Sequence, residues 1–360
     1  MSYTCQMSIL SFAVGDPQTT MDRFLDAVRG ASLLAPSSRL RPGVSLLSMG
    51  DHFDFAPPPG WSWPQVSSAG EEILSWLSSH PSDQVTILLG NHDVCRVMEF
   101  YRMSDAVFAQ ARLDGASDVP EADFLARYPD LPSKGIAARD FSAFRVSQRE
   151  LVQRLLLRGR AQLAAVVETA SGVHALATHA GVTERELSQL GLSAERDPFV
   201  LAAALNGFLQ ERVDRVRSAW TSGELVPLDL SPLHLAGVSG AEGGGLLYHR
   251  PQTKGTDSWE ASGARRYHPR TLPRGLLQVC GHTHHKKCRD LLPVEAGSHS
   301  VGDVDGRLRT MWVSSQGVVG YDVGLRPPSA DEATVWLIDG RINHSASVEL
   351  LGLRSIASGD

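Results

Sequence analysis

Short apolar runs that stop at a glycine recur along this chain. Ile9–Val14 runs into Gly15-Asp16-Pro17-Gln18, Val44–Met49 into Gly50-Asp51-His52, and Val85–Leu89 into Gly90-Asn91-His92-Asp93. Val173–Thr178 runs into His179-Ala180-Gly181, and Leu276–Cys280 into Gly281-His282-Thr283-His284-His285. Runs this short and this continuously apolar predict strands covered on both faces, as in an α/β sheet.

Helical periodicity fills the gaps between them. Met21, Phe24, Leu25 and Val28 share one helix face behind a Thr19 or Thr20 cap. Ile73, Leu74 and Leu77 mark a second helix, and Ser147-Gln148-Arg149-Glu150 is a capping box opening a third that carries Leu151, Leu155 and Leu156. Strand–helix alternation implies right-handed crossovers, which bring strand ends to one edge of the sheet, where ligands bind. The five polar clusters are therefore expected to meet. Each alone has a plain reading: Gly-Asp after a strand is a turn, Asn91-His92-Asp93 a helix cap, His174 a core histidine, His52 a packing residue. Five of them at strand ends in one order exceed what turns and caps require.

Residues 1–360 read as one domain, without internal repeats or low-complexity tracts. A helix-rich cap insertion is expected at about 96–165 and a glycine- and charge-rich loop over the site at about 240–270. Pro57-Pro58-Pro59-Gly60 reads as a rigid loop near the site mouth, and TVWLIDGRI (334–342) as an antiparallel strand finishing a second sheet.

Composition narrows the partners. Hydrophobic residues make up 42% and charged ones 21%, as in an ordinary globular protein with a sizeable core. A formal net charge of −6 gives no broad basic face, so neither nucleic acid nor an anionic membrane is an expected partner. The segment MSYTCQMSILSFAV lacks the basic region of a secretory signal, and no run nears the roughly 18 apolar residues that span a bilayer. Cys5, Cys95, Cys280 and Cys288 form no C-x-x-C pair and read as reduced thiols of a cytoplasmic protein. Cys280 and Cys288 flank the histidine-rich turn, which leaves zinc binding there as a second reading.

Asp16-Pro17-Gln18, Gly50-Asp51, Gly90-Asn91-His92-Asp93, His179 and Gly281-His282-Thr283-His284 stand in the order of the motifs of the calcineurin-like metallophosphoesterase superfamily, which the chain resembles. The family pattern is D-x-H, G-D, G-N-H-[D/E], a lone H before a small residue, and G-H-x-H. Two positions depart from it. Gln18 replaces a histidine, and Phe55 stands where protein phosphatases and symmetrical dinucleoside tetraphosphatases carry the arginine of G-D-x-x-D-R-G. Leu246-Leu247-Tyr248-His249-Arg250 is similar to a segment by which that branch, including its bacterial serine/threonine phosphatases, supplies an arginine to the substrate phosphate.

The resemblance implies an α/β four-layer sandwich, two mixed sheets face to face with helices outside, and two divalent metal ions at the strand ends. Asp51 would bridge them. Asp16, Gln18 and His284 would complete one site, and Asn91, His179 and His282 the other; the mixed nitrogen and oxygen donors suit manganese, iron or zinc. Such a centre hydrolyses phosphate monoesters by attack of a metal-bridging hydroxide. His92 would be the general acid, with Asp93 orienting its ring. Arg250 and Arg96 are the candidate phosphate contacts. The implied enzyme is a metal-dependent phosphoric ester hydrolase acting on a phosphorylated small molecule or a phosphoprotein. A phosphodiesterase or dinucleoside-polyphosphate hydrolase on the same centre is the alternative, and a metal-binding scaffold without activity a third, favoured by Gln18 alone.

Overall fold

The computed structural model describes residues 10–253, 265–292 and 305–354. Cys5, Ile9 and the middle of the 240–270 loop lie outside them. The expected strands form: β1 (Leu10–Val14), β2 (Val44–Ser48) and β3 (Val85–Leu88), then a two-residue β4 (Ala161–Gln162), β5 (Ala164–Thr169) and β6 (His174–Thr178). Four two-residue strands follow, β7 (His234–Leu235), β8 (Gly244–Gly245), β9 (Arg250–Pro251) and β10 (Arg266–Tyr267). The chain continues with β11 (Leu277–Cys280), β12 (Arg309–Val313), β13 (Val319–Val323), β14 (Ala333–Leu337) and β15 (Leu351–Arg354). The helices are α1 (Met21–Gly30), α2 (Trp63–Ser78), α3 (Asn91–Val94), α4 (Asp105–Ala116), α5 (Glu121–Arg127), α6 (Val146–Leu157), α7 (Glu184–Gln189), α8 (Pro198–Ser222) and α9 (His285–Leu291).

The protein is α/β, built on one mixed eleven-stranded sheet in the order β13-β12-β14-β11-β6-β5-β15-β1-β2-β3-β4. Strands β1 to β4 are parallel, and so are β6, β11 and β14. The two sheets expected from the sequence are thus joined in one ladder. The joint is a corner, where β15 pairs antiparallel with β1 and meets β5 only through Leu353–Thr169 and Arg354–Glu168. Beyond it the halves share one apolar layer: Ala13, Leu47 and Leu88 from one side, Ala177, Val279 and Ile338 from the other. Helices α1, α2 and α6 cover the first half, α8 packs on β5 and β6, and Cys288 of α9 packs on β11 and β12. No helix among the described residues is long and apolar enough to cross a membrane.

Local readings hold or shift for identifiable reasons. Helix α1 begins behind Thr20, whose hydroxyl accepts from the Arg23 amide, and buries Phe24 and Val28. Helix α6 starts at Val146, ahead of the expected box. Gln148 Oε1 accepts from the Arg145 amide at 3.1 Å while its Nε2 donates to the Ala143 and Ser67 carbonyls, and Ser147 is left inside the first turn. His174 is exposed at the start of β6 with its ring against Phe199, not in the core. Strand β14 corrects a larger expectation. It is interior and parallel to β11, antiparallel only to β12, so its C-terminal end lies beside those of β6 and β11, and Ile338 and Asp339 meet Gly15 at the end of β1. The helix-rich segment after α3 gathers around its own cluster, which includes Phe100, Phe108, Phe124, Phe141 and Phe144. Helix α6 returns to the main core through Leu151, Leu155 and Leu156, so the separate packing unit stops short of the expected 165.

Candidate metal centre

Two strand-end loops meet backbone to backbone, and that contact requires glycine. A Cβ on Gly90 would fall 2.0 Å from a carboxylate oxygen of Asp51, and one on Gly281 would fall 2.3 Å from a carboxylate oxygen of Asp16. Between the glycines, Asp51, Asp54 and His282 are held at φ of 58°, 65° and 57°. Left-handed backbone costs a non-glycine residue about 1–2 kcal/mol. Hydrogen bonds hold it here. Asp51 Oδ1 accepts from the His92 amide at 2.9 Å, and both Asp16 oxygens accept from the His282 amide at 2.9 and 3.0 Å.

Four atoms of metal-ligand type converge in consequence. His179 Nδ1 donates to the Met49 carbonyl at 2.7 Å, and His282 Nε2 donates to the Tyr248 carbonyl at 2.9 Å. Each ring therefore presents its other nitrogen inward, 3.1 Å from that of its neighbour. Asn91 Oδ1 and Asp51 Oδ2 each lie 3.3 Å from His179 Nε2. Asp51, His179 and His282 bring ligand atoms within 4.8 Å of one another, and all three are buried. Burial raises the Asp51 carboxyl, but His179 and His92 outweigh it and hold it well below the usual range. His179 moves the other way, up to about 9, because Asp51 overcomes the effect of burial.

Beside this group lies a second. Asp16, Gln18 and His284 line the adjoining cleft, and Gln18 Nε2 donates to the Phe53 carbonyl at 2.8 Å, which leaves its Oε1 as the donor atom for a cation. His284 Nδ1 is buried without a partner, and burial with Arg341 and Arg250 nearby takes the ring down to about 2. Asp339, just beyond β14, also lines this cleft. Burial and Asp339 push Asp16 well up, and Asp339 is itself raised by burial. Two carboxyl groups, a neutral imidazole and an amide oxygen facing one cavity are donor types that suit a cation. The signal for Asp339 was in the sequence. Ile338-Asp339-Gly340 repeats the strand-end pattern, masked by the antiparallel reading of its strand.

Two expected roles are corrected. Asp93 does not orient His92. Its carboxylate accepts from the Gly90, Asp51 and His52 amides and pairs with the His52 ring at 3.0 Å. The partner of His92 is Asp54, whose Oδ2 lies 2.9 Å from His92 Nδ1, while its Oδ1 accepts from the Ala143 amide at 2.7 Å. Arg96 does not reach the cleft either. It is fully buried over the Phe53 ring, 2.6 Å from Asp54, and donates to the His92 carbonyl. Burial raises the Asp54 carboxyl, yet Arg96 and His92 together hold it below its ordinary value. His92 Nε2 is thereby left toward the cleft, 3.9 Å from Asp51 Oδ2.

The cleft is a cavity of about 420 Å³. Arg250 lines it, with Arg139 and Asp140 from the inserted segment and Arg266, Lys287 and Arg341 from elsewhere. Phe55, where the resemblance places an arginine, also faces it. Among the described residues, Cys280 and Cys288 join no group of metal-ligand side chains. Both are buried in an apolar cluster, where burial pushes their thiols up to about 12 and about 11.

No family model matches the chain, and no curated protein matches it. Among solved structures, a cold-active protein tyrosine phosphatase aligns over 96% of this chain and 74% of its own, with 12% identity and a TM-score of 0.44. A mutant of a cold-active protein tyrosine phosphatase aligns over 96% and 75%, with 13% identity and a TM-score of 0.42. At this distance the functional reading rests on the chain's own residues.

Proposed function

We propose that the protein is a phosphoesterase dependent on two divalent metal ions, cleaving phosphate monoesters. The convergence of Asp51 Oδ2, Asn91 Oδ1, His179 Nε2 and His282 Nδ1 carries this reading, since four atoms of metal-ligand type lie within reach of one cation, which would replace the proton that Asp51 otherwise holds on His179. Asp16, Gln18, His284 and Asp339, with Asp51 shared, would hold the second ion. Bound there, the ions would supply positive charge to phosphoryl oxygens and make water acidic near neutral pH.

The protein groups do the rest. Arg250 lines the cleft and would fix the phosphate by a guanidinium fork. His92 would give the leaving oxygen its proton from Nε2, with Nδ1 held by the Asp54 carboxylate, which stays ionised through its contact with Arg96. Phe141 packs edge-on against the His92 ring at 4.7 Å and limits its rotation. The experiment is hydrolysis of p-nitrophenyl phosphate by protein loaded with Mn²⁺, beside the same protein after chelation. Activity is expected only with metal, and robust turnover by protein shown to be metal-free would remove this reading.

A further inference from the structure

Arg250 and Arg266 are register partners on the parallel ribbon β9–β10. Neighbouring strands lie about 4.8 Å apart, so two guanidinium-bearing side chains leave the ribbon side by side, and both line the cleft. Lys287 of α9 lines it too. Like charges directly opposite in a sheet oppose its pairing. Neighbouring cations are neutralised: Arg265 pairs with Glu242, and Arg341 with Asp305 at 2.8 Å. Arg250, Arg266 and Lys287 have no ion-pair partner among the described residues, and Arg250 Nε is buried without a hydrogen bond.

All three are only half exposed, which limits the water that could screen them. Burial, Arg250 and Arg265 take Arg266 down to about 10; burial, Arg250 and Arg266 also lower Lys287, against the pull of Asp290 and Asp140. In a chain with more Asp and Glu than Lys and Arg, such a cluster is not a product of composition. Among the described residues, these cations share the cleft with no carboxylate close enough to form an ion pair with them. One phosphoryl group, bound by the metal ions and Arg250, would leave Arg266 and Lys287 free for another.

We propose that Arg266 and Lys287 form a second anion subsite, and that the substrate is a small phosphate ester carrying a further phosphoryl group. Arg250 holds the group to be cleaved, while Arg266 and Lys287 hold the one retained. The proposal rests on the phosphoesterase reading for its first phosphate. The cavity has the volume of a small-molecule site, which suits a compact bisphosphate.

Fructose 1,6-bisphosphate and fructose 6-phosphate serve as probes, since they differ by one phosphoryl group. Binding is measured by calorimetry on the metal-loaded His92→Ala protein, where turnover does not interfere. The bisphosphate is expected to bind at least about tenfold more tightly, as charge-assisted contacts to one more phosphate require. Adding Arg266→Gln, or separately Lys287→Gln, should bring the two affinities together. Equal affinities at the outset, or a preference that neither substitution reduces, would overturn the subsite. If the parent protein hydrolyses neither ester while the Arg266- and Lys287-dependent preference persists, the subsite stands and the phosphoesterase reading falls.

Discussion

His92 Nδ1 lies 2.9 Å from Asp54 Oδ2, while the Asp93 carboxylate is taken up by the Gly90, Asp51 and His52 amides. The two acids therefore support different things: Asp54 holds the ring proposed to move a proton, and Asp93 holds the loop that carries Asp51. Asp54→Asn should lower kcat by about 10²-fold, in the range of a general-acid contribution, with metal content retained. Asp93→Asn should lower metal content first. Steady-state kinetics and metal analysis of both variants decide the matter; loss of kcat with full metal in Asp93→Asn would return the orienting role to Asp93.

Arg96 and Arg250 separate in the same way. Arg96→Met leaves the buried Asp54 carboxylate without its guanidinium at 2.6 Å. Breaking one side of a buried ion pair costs about 3–5 kcal/mol, so urea unfolding should show a large loss of stability. Arg250→Ala, at the cleft, should raise KM for the ester with little change in the unfolding midpoint. A normal midpoint for Arg96→Met would place that arginine outside the packed core.

The second metal position has two adjustable donors. Gln18 offers one amide oxygen, its nitrogen being engaged by the Phe53 carbonyl. Gln18→His should bind zinc more tightly at one of two sites, because imidazole is the better partner for that ion. Asp339→Asn should do the opposite and lower retention of one ion per chain. Calorimetric titration of metal-free protein gives the first result and metal analysis after desalting the second. Unchanged stoichiometry and affinity in both variants would take these residues out of the coordination sphere.

Stability should fall in acid through a residue outside the centre. Burial, with His249 and His179 nearby, takes His234 down to about 3. In the unfolded chain the same ring takes up a proton near the ordinary histidine value of 6.5. Between those values only the unfolded state binds the proton, so stability is full above about pH 6.5 and declines by about 1.4 kcal/mol per unit below it. The decline ends at about pH 3. Urea unfolding at pH 7 and pH 5 should show a component of about 2 kcal/mol that His234→Leu removes. The same pH slope in parent and variant would mean that this ring is protonated in the folded protein.

The strand ends were legible because an apolar run, a glycine and a polar cluster each answer to a local demand. Gly90 and Gly281 stand where a side-chain carbon would collide with a carboxylate, and those collisions fix the motif. Strand direction is not local. The apolar run of β14 is the same whether it lies parallel or antiparallel to β11, and so Asp339 was missed. The partner of His92 was equally hidden. Asp54 reaches that ring because its backbone takes φ 65° and the inserted segment offers the Ala143 amide to its other oxygen, neither of which the spacing from Asp51 reveals. Arg96 sits beside the motif in sequence, but Phe53 and Gln148 draw it inward.

The corner strand β15 sets an order of events during synthesis. Every proposed metal donor lies before it, on loops from both halves of the sheet, and β15 supplies the backbone ladder between β1 and β5. A nascent chain that has emerged through Asp339 already carries all the chemistry, yet lacks the strand that holds the Asp16 half against the His282 half. Domains emerge and fold as units, and here the unit is incomplete until Leu351–Arg354 has left the ribosome. A nascent chain stalled just short of that point would be rich in metal-binding groups and poor in metal, so maturation of the centre would wait for β15 to emerge.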